Sequence, residues 1–212
     1  MLAVPPLVGD RSRRFQVGGG DMRLAALFGS PRRGGNTDLL LEEFLRGCST
    51  AGGVEIERIY LSRLRLTGCR GCKSCAETGV CVVEDEMRSV YKVLEESSRI
   101  VIASPIYFYG VTAQTKQVID RAQAFWSRKY LLKQAIGTTT PRLGFFISVG
   151  ATRGARLFDG AIFTVRYFFH AIDVKYSGQL LYRGFDEMGA IRSHPTAFTE
   201  CFEAGTRFVA SS

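Results

Sequence analysis

The sequence predicts an α/β domain built on a doubly wound, five-stranded parallel sheet with helices on both faces. Three observations predict it. Short runs that are apolar at consecutive positions alternate with stretches of helical period along the chain. Most of these runs stop at Gly or Ser-Pro and lead into a helix start. The 212 residues, 46% of them hydrophobic, suit one domain with a full core.

The first strand is Arg23 to Phe28, closed by Gly29, and an amphipathic helix follows from about Asp38 with Leu41, Leu45 and Cys48 on one face. Gly52 and Gly53 end that helix, and Val54 to Leu61 forms the second strand. Asp85 opens a second helix, in which Met87, Val90, Tyr91 and Leu94 fall at i, i+3, i+4 and i+7. Ile100 to Ala103 is a buried strand ending at Ser104-Pro105, and one helix is expected from Thr112 to about Trp126. Leu143 to Val149 is the fourth strand, broken by Gly150. A long apolar helix over Leu157 to Ile172, a fifth strand over Val174 to Leu181 and a last helix from Pro195 complete the pattern. Five strand–helix units make a flavodoxin-like sheet the first choice, with ligands outside the carboxyl ends of the strands at the switch point. The loops after strands one, three and four are therefore expected to form one pocket.

The first of these loops, Gly29 to Thr37, lies where a phosphate belongs, between a strand and a helix start whose N–H groups favour an anion. Ser30, Asn36 and Thr37 add polar donors, and Arg32 or Arg33 adds charge. With neither a Walker lysine nor G-x-G-x-x-G spacing, the loop suits a terminal monophosphate better than ATP or a dinucleotide. The alternative is a Gly-rich turn capped by Asn or Thr. The second loop carries Pro105, Ile106, Tyr107, Phe108, Tyr109 and Gly110, a set that suits a flat ring beside backbone amides or, alternatively, an oligomer interface. The third, Ser148 to Gly154, brings Ser148 and Gly150 to the same rim.

Four of the six cysteines fall in one short run, Cys69, Cys72, Cys75 and Cys81, spaced C-x2-C-x2-C-x5-C. Two successive C-x2-C steps aim three thiolates at one compact object, and Gly79 can take the left-handed backbone that swings the fourth inward. Such a run suits the corners of an iron–sulfur cubane. Structural zinc, whose paired cysteines usually sit on separate knuckles, and a metal-free thiol loop stand beside it. A disulfide framework belongs to short secreted chains, and clustered thiols point instead to a reducing compartment, the cytoplasm. Cys48 and Cys201 read as small core residues.

The charge of +8, from 28 Lys and Arg against 20 acids, favours anionic partners such as nucleotides or an acidic electron carrier, or else reflects scattered surface residues. No basic run interleaved with aromatics points to nucleic acid, and no apolar run approaches the roughly 20 residues of a membrane span. His170 and His194 sit in different elements with no nucleophile partner, and no paired carboxylates appear, so hydrolysis is disfavoured. Residues 1–21, with Gly18 to Gly20, are expected to be a flexible leader or tag outside the domain, 22–212.

Together, Gly29 to Arg32, Gly35 to Thr37, the cysteine run, Ser104 to Tyr107, Lys116 and Asp120-Arg121 resemble the NADPH-dependent FMN reductase-like flavoproteins. The cysteine spacing narrows the likeness, which spans Arg23 to about Gly205, to the iron–sulfur flavoproteins of archaea and anaerobic bacteria. The resemblance implies FMN phosphate on Ser30, Arg32, Asn36 and Thr37, and an isoalloxazine ring against Pro105 to Gly110. It implies a [4Fe-4S] cluster on Cys69, Cys72, Cys75 and Cys81, and a homodimer or homotetramer. The implied activity is electron transfer between a one-electron donor such as ferredoxin, the cluster and FMN, with NAD(P)H as a further candidate partner and no obligatory acid or base. The chain departs from the family at Glu84 to Met87, where relatives often carry paired Asp, a change expected to touch only the helix start. The rivals are an NAD(P)H-dependent flavin or quinone reductase without a cluster, and a non-catalytic binding module braced by zinc.

Overall fold

The structure, a computed structural model, describes residues 22–137 and 141–211, so the expected leader at 1–21 lies outside the described residues. Five strands, β1 (Met22–Phe28), β2 (Val54–Tyr60), β3 (Arg99–Ala103), β4 (Leu143–Gly150) and β5 (Lys175–Arg183), form one parallel sheet in the order β2-β1-β3-β4-β5. The order reverses between β1 and β3, where Leu24 pairs with Arg99 and Phe28 with Ala103. This is the expected flavodoxin-like winding. β3 and β4 are buried along their whole length, which is why their sequences show no polar alternation. β2 lies at an edge and exposes Glu55, Glu57 and Arg58, charges that discourage pairing with another chain.

Side chains alternate across the sheet and divide the core in two. Leu24, Ala26 and Phe28 face α1 (Asn36–Ser49) and α7 (Ala197–Ala210), where Phe44 and Phe208 pack on Phe145 and Leu41 and Leu45 join the same cluster. Ala25 and Leu27 face the other layer, made by α3 (Met87–Glu96), α4 (Ala113–Arg121), α5 (Gln123–Tyr130) and α6 (Asp159–Ala171). A four-residue helix, α2 (Cys75–Thr78), lies within the cysteine run and was not expected from the sequence.

The expected helix from Thr112 to Trp126 is two helices that meet at Ala122. Thr112 caps the first, its hydroxyl accepting the Thr115 N–H at 3.4 Å. At the break the Arg121 carbonyl accepts the Tyr91 hydroxyl at 2.7 Å, a tertiary bond that no local pattern announces. On the opposite edge, buried Arg142 donates to the carbonyls of Leu94, Ser97 and Ile172, satisfying the ends of α3 and α6 that would otherwise be orphaned.

The α1–α7 contact is set by two glycines. A Cβ on Gly47 would stand 2.0 Å from the Phe202 carbonyl oxygen, and one on Gly205 would stand 1.9 Å from that of Phe44. Backbone meets backbone there, so neither neighbour can yield. Gly205→Ala is expected to cost about 1–3 kcal/mol and lower the Tm by roughly 5 °C despite the better helix propensity of alanine. A thermal melt in which the variant matches or exceeds the parent would show that the two helices can separate.

Candidate functional site

β1 ends at Phe28 and hands the chain to Gly29, a position no side chain could occupy. A Cβ there would lie 2.2 Å from the Thr115 hydroxyl and 2.8 Å from the Ala103 carbonyl. The close approach lets the loops after β1 and β3 touch. The Gly29 N–H donates to Ala103 O at 2.7 Å, and its carbonyl accepts from the Thr112 hydroxyl and from Gln114 Nε2. Beyond it the Ser30 hydroxyl accepts the Arg32 N–H at 3.1 Å and donates to the Arg32 carbonyl at 3.0 Å, so the loop holds its own shape.

The start of α1 has no side-chain cap. Its N-cap is Gly35, which offers no side-chain acceptor, so the N–H groups of Asn36 and Thr37, both buried residues, are given no cap from the loop. Asp38 is also buried; its Oδ2 accepts the Gly34 N–H at 3.0 Å, while Oδ1 has no partner among the described residues. Burial pushes its carboxyl up to about 6, against the Gly34 N–H and the Arg33 charge, which pull it down; Glu42 pushes it further up.

Two expected phosphate ligands are committed to another task. Asn36 donates through Nδ2 to the carbonyls of Glu187 (3.0 Å) and Phe185 (3.5 Å) and accepts the Ile191 N–H on Oδ1 at 3.3 Å. Arg32 donates to the Asp186 carbonyl at 3.1 Å. Both side chains tie the loop to the segment after β5, which the sequence reading had not placed at the site. Thr37 and Ser30 join Asn36 and Arg32 around a narrow cleft of about 40 Å³ that Pro105, Ile106, Tyr107, Val149, Ala151, Phe185 and Asp186 complete. Ends of β1, β3, β4 and β5 thus meet in one cleft, as the topology requires.

The third loop contributes differently from expectation. Ser148 is wholly buried in β4, its hydroxyl bonded to the Ser104 carbonyl at 2.7 Å, and Gly150 holds the Gly184 N–H on its carbonyl at 2.8 Å. Both are framework, and their neighbours Val149 and Ala151 line the cleft instead.

After Pro105 and Ile106 the chain makes a tight hairpin. Tyr107 and Gly110 exchange both N–H···O bonds at 3.0 Å, with Phe108 (φ 48°) and Tyr109 (φ 62°) between them. Both central residues are left-handed, a form that favours Asn-Gly and costs a bulky residue about 1–2 kcal/mol. The turn holds Phe108 fully in solvent, with Tyr107 and Tyr109 half exposed beside it. Gly160 leaves room for this hairpin, since a Cβ there would press on the Tyr109 carbonyl at 2.7 Å.

The cysteine run forms a second cavity, of about 600 Å³, walled by α4 and α5. Cys69, Cys72, Cys75 and Cys81 all line it, with Arg121, Trp126 and Ser127 opposite. Gly71 (φ 65°) and Lys73 (φ 63°) are left-handed on either side of Cys72 and turn the chain sharply at that sulfur. Gly79 (φ 73°) ends α2 in the left-handed form predicted for it and carries the chain round to Cys81. Cys72 receives the Ser74 hydroxyl at 3.5 Å, and that bond with the Ser74 N–H holds its thiol below the ordinary range. Cys75 receives the Ser127 hydroxyl at 3.6 Å. Cys48 and Cys201, by contrast, are wholly buried, and burial pushes both thiols up to about 12. Within the run Cys69 and Cys72 are exposed, Cys81 is half-buried and Cys75 is buried in the cavity wall.

Among the described residues no three His, Cys, Asp or Glu side chains gather closely enough to hold a metal ion. The four thiols line one cavity. Thiolate is the donor that both a structural zinc ion and the irons of a cluster take.

The NADPH-dependent FMN reductase family matches this chain over residues 22–177, and the chain belongs to that family. An iron-sulfur flavoprotein of Archaeoglobus fulgidus is 36% identical over 110 residues, 52% of this chain and 50% of its own length. Another, of Methanocaldococcus jannaschii, is 39% identical over 102 residues, 48% of this chain and 52% of its own. The chain thus spans about half the length of these curated relatives. In structure it is similar to an NAD(P)H:quinone oxidoreductase from Methanothermobacter marburgensis, with a TM-score of 0.68 at 16% identity over 88% of this chain and 98% of the other. That likeness confirms the flavodoxin-like fold.

Because the folded Asp38 carboxyl titrates above its unfolded value, its stabilising balance is complete below pH about 4 and is lost as pH rises through about 6. Asp38→Asn in ligand-free protein is expected to raise the Tm at pH 8 and to leave it unchanged near pH 4. An equal Tm difference at both values would place the effect elsewhere than in this charge.

Proposed function

We propose that this chain is an FMN-dependent oxidoreductase in which Cys69, Cys72, Cys75 and Cys81 hold a [4Fe-4S] cluster beside a flavin site at the carboxyl rim of the sheet. The observation that carries the reading is the convergence of all four cysteines of the run on one cavity, with left-handed turns at Gly71, Lys73 and Gly79 folding the loop around it. Bound FMN supplies one- or two-electron chemistry and the cluster one electron at a time, so the pair would match a one-electron carrier to a two-electron acceptor.

The chain's own residues bind and orient. The first-turn N–H groups of α1, with Ser30 and Thr37, take the phosphate; Arg32 adds its charge at the mouth, and Asn36 acts by holding the segment at 185–191 against the cleft. Pro105, Ile106 and the hairpin from Tyr107 to Gly110 would hold the ring, with the exposed Phe108 and Tyr109 available to it or to a partner subunit. Ser148 and Gly150 support the rim from behind. The nine residues of α4 separate the hairpin from the cysteine cavity, a helix of about 13 Å at 1.5 Å per residue.

A soluble one-electron carrier of the ferredoxin kind is the donor this arrangement suits; Arg70 and Lys73, exposed at the cavity, match an acidic surface. The family's NADPH dependence supports NAD(P)H as the second candidate partner. Phe163 and Tyr167, one turn apart and exposed on α6, support assembly as a homodimer or homotetramer. The clustered, unbridged thiols suit the reducing cytoplasm.

Protein prepared and kept without air is expected to carry about four iron and four acid-labile sulfide per chain alongside FMN. Cys72→Ser should lose the iron and keep the flavin. Iron-free parent protein with full flavin would remove the cluster and leave a reductase whose cysteines serve another purpose. Thr37→Val tests the other half: FMN affinity is expected to fall about tenfold while riboflavin, which lacks the phosphate, changes less than about twofold. Equal losses for the two ligands would take Thr37 away from the phosphate.

A further inference from the structure

Arg121 is 1% exposed and sits at the end of α4, in the wall of the cysteine cavity. Its guanidinium grips Asp85 with two bonds, Nη1 to Oδ2 at 2.8 Å and Nη2 to Oδ1 at 3.2 Å. The same two nitrogens donate to the carbonyls of Thr67 (2.8 Å) and Val83 (3.2 Å). Thr67 and Val83 flank the cysteine run, two residues before Cys69 and two after Cys81. Asp85 completes the closure by accepting the N–H groups of Thr67 at 2.8 Å and Met87 at 3.1 Å, and Glu86 accepts that of Arg65 at 2.7 Å. The acids expected only to start a helix therefore also fasten the ascending limb of the loop. Burial pushes the Asp85 carboxyl up, but the Arg121 pair and these N–H bonds outweigh it and hold it below its ordinary value.

A guanidinium carries five N–H donors. Four are used by the bonds above, and the fifth, on Nε, is buried without a partner among the described residues. An unpaired buried donor of a charged group is costly, so the site is incomplete as the side chains alone leave it. Arg121 and Cys81 line the same cavity, and the Tyr91 hydroxyl holds the Arg121 carbonyl at 2.7 Å.

We propose that Arg121 is the positioning residue of the cysteine site: through Asp85 it locks the two ends of the loop together, and it gives its remaining N–H and its charge to the sulfur held there. The proposal rests on the reading that the run holds an iron–sulfur cluster. A cation and a donor next to cluster sulfur stabilise the reduced, more negative state, so Arg121 raises the reduction potential as well as closing the loop.

The test compares the parent with Arg121→Gln, Arg121→Lys and Asp85→Asn, prepared anaerobically and reconstituted with iron and sulfide. Trypsin cleavage of the metal-free proteins at Arg70 and Lys73 reads the closure; at least about tenfold faster cutting is expected in Arg121→Gln and Asp85→Asn, with FMN binding unchanged. Midpoint potentials followed by electron paramagnetic resonance read the sulfur contact. Arg121→Gln is expected to shift the oxidised-to-reduced ratio at least about tenfold towards oxidised, 59 mV lower for one electron. Arg121→Lys, which keeps a cation, should fall between it and the parent, and Asp85→Asn should not fall at all. A parent-like midpoint in Arg121→Gln would overturn the proposal, as would loss of the cluster in Arg121→Lys to the same extent as in Asp85→Asn, which would leave Arg121 a brace only. A parent protein that takes up no cluster defeats the underlying reading instead, and the trypsin result then stands alone as the measure of the clamp.

Discussion

The parallel pairing of β1 with β3 at the centre of the sheet is the constraint from which the site follows. Two adjacent strands whose connections leave to opposite faces must part at their carboxyl ends, and the gap between their loops becomes a cleft. Gly29 keeps that gap narrow by letting one loop rest directly on the other. Thr112 then fastens the two loops through the Gly29 carbonyl and at the same time starts α4. One small residue and one hydroxyl thus connect the α1 end of the cleft to the helix whose far end bears Arg121.

That helix is the link between the two halves of the proposed chemistry. Its amino end follows the aromatic hairpin and its carboxyl end walls the cysteine cavity, so the two sites are held at a fixed separation by a rigid element with both termini engaged. The strained Phe108–Tyr109 turn and the buried Arg121–Asp85 pair are two of the places where the fold accepts a local cost. Both lie at the boundaries of a site. Elsewhere the packing is ordinary: apolar strands between helix layers, buried arginines closing helix ends, and charged residues on the β2 edge.

Much of the fold was legible in the chain because β3 and β4 are apolar on both faces and the helices are periodic; those signals are local and strong. The expectations that moved did so for non-local reasons. The single helix from Thr112 to Trp126 became two where a tyrosine thirty residues away captures the Arg121 carbonyl. Ser148 looked like a rim hydroxyl, yet the register of β4 beside β3 turns it onto Ser104. Asn36 stands in the phosphate loop as its sequence position says, but its amide is spent on residues some 150 positions further on.

Spacing alone determined that four sulfurs would share one place, since C-x2-C steps and a glycine before the last cysteine act over a few bonds of backbone. Alternating apolar runs likewise determined the sheet, because burial on both faces leaves no other arrangement of strands and helices. Which residues would surround those sulfurs was decided only by the folded chain. Arg121, Asp85, Thr67 and Val83 have no local pattern in common, and they meet because a buried charge must find its opposite and every carbonyl within reach.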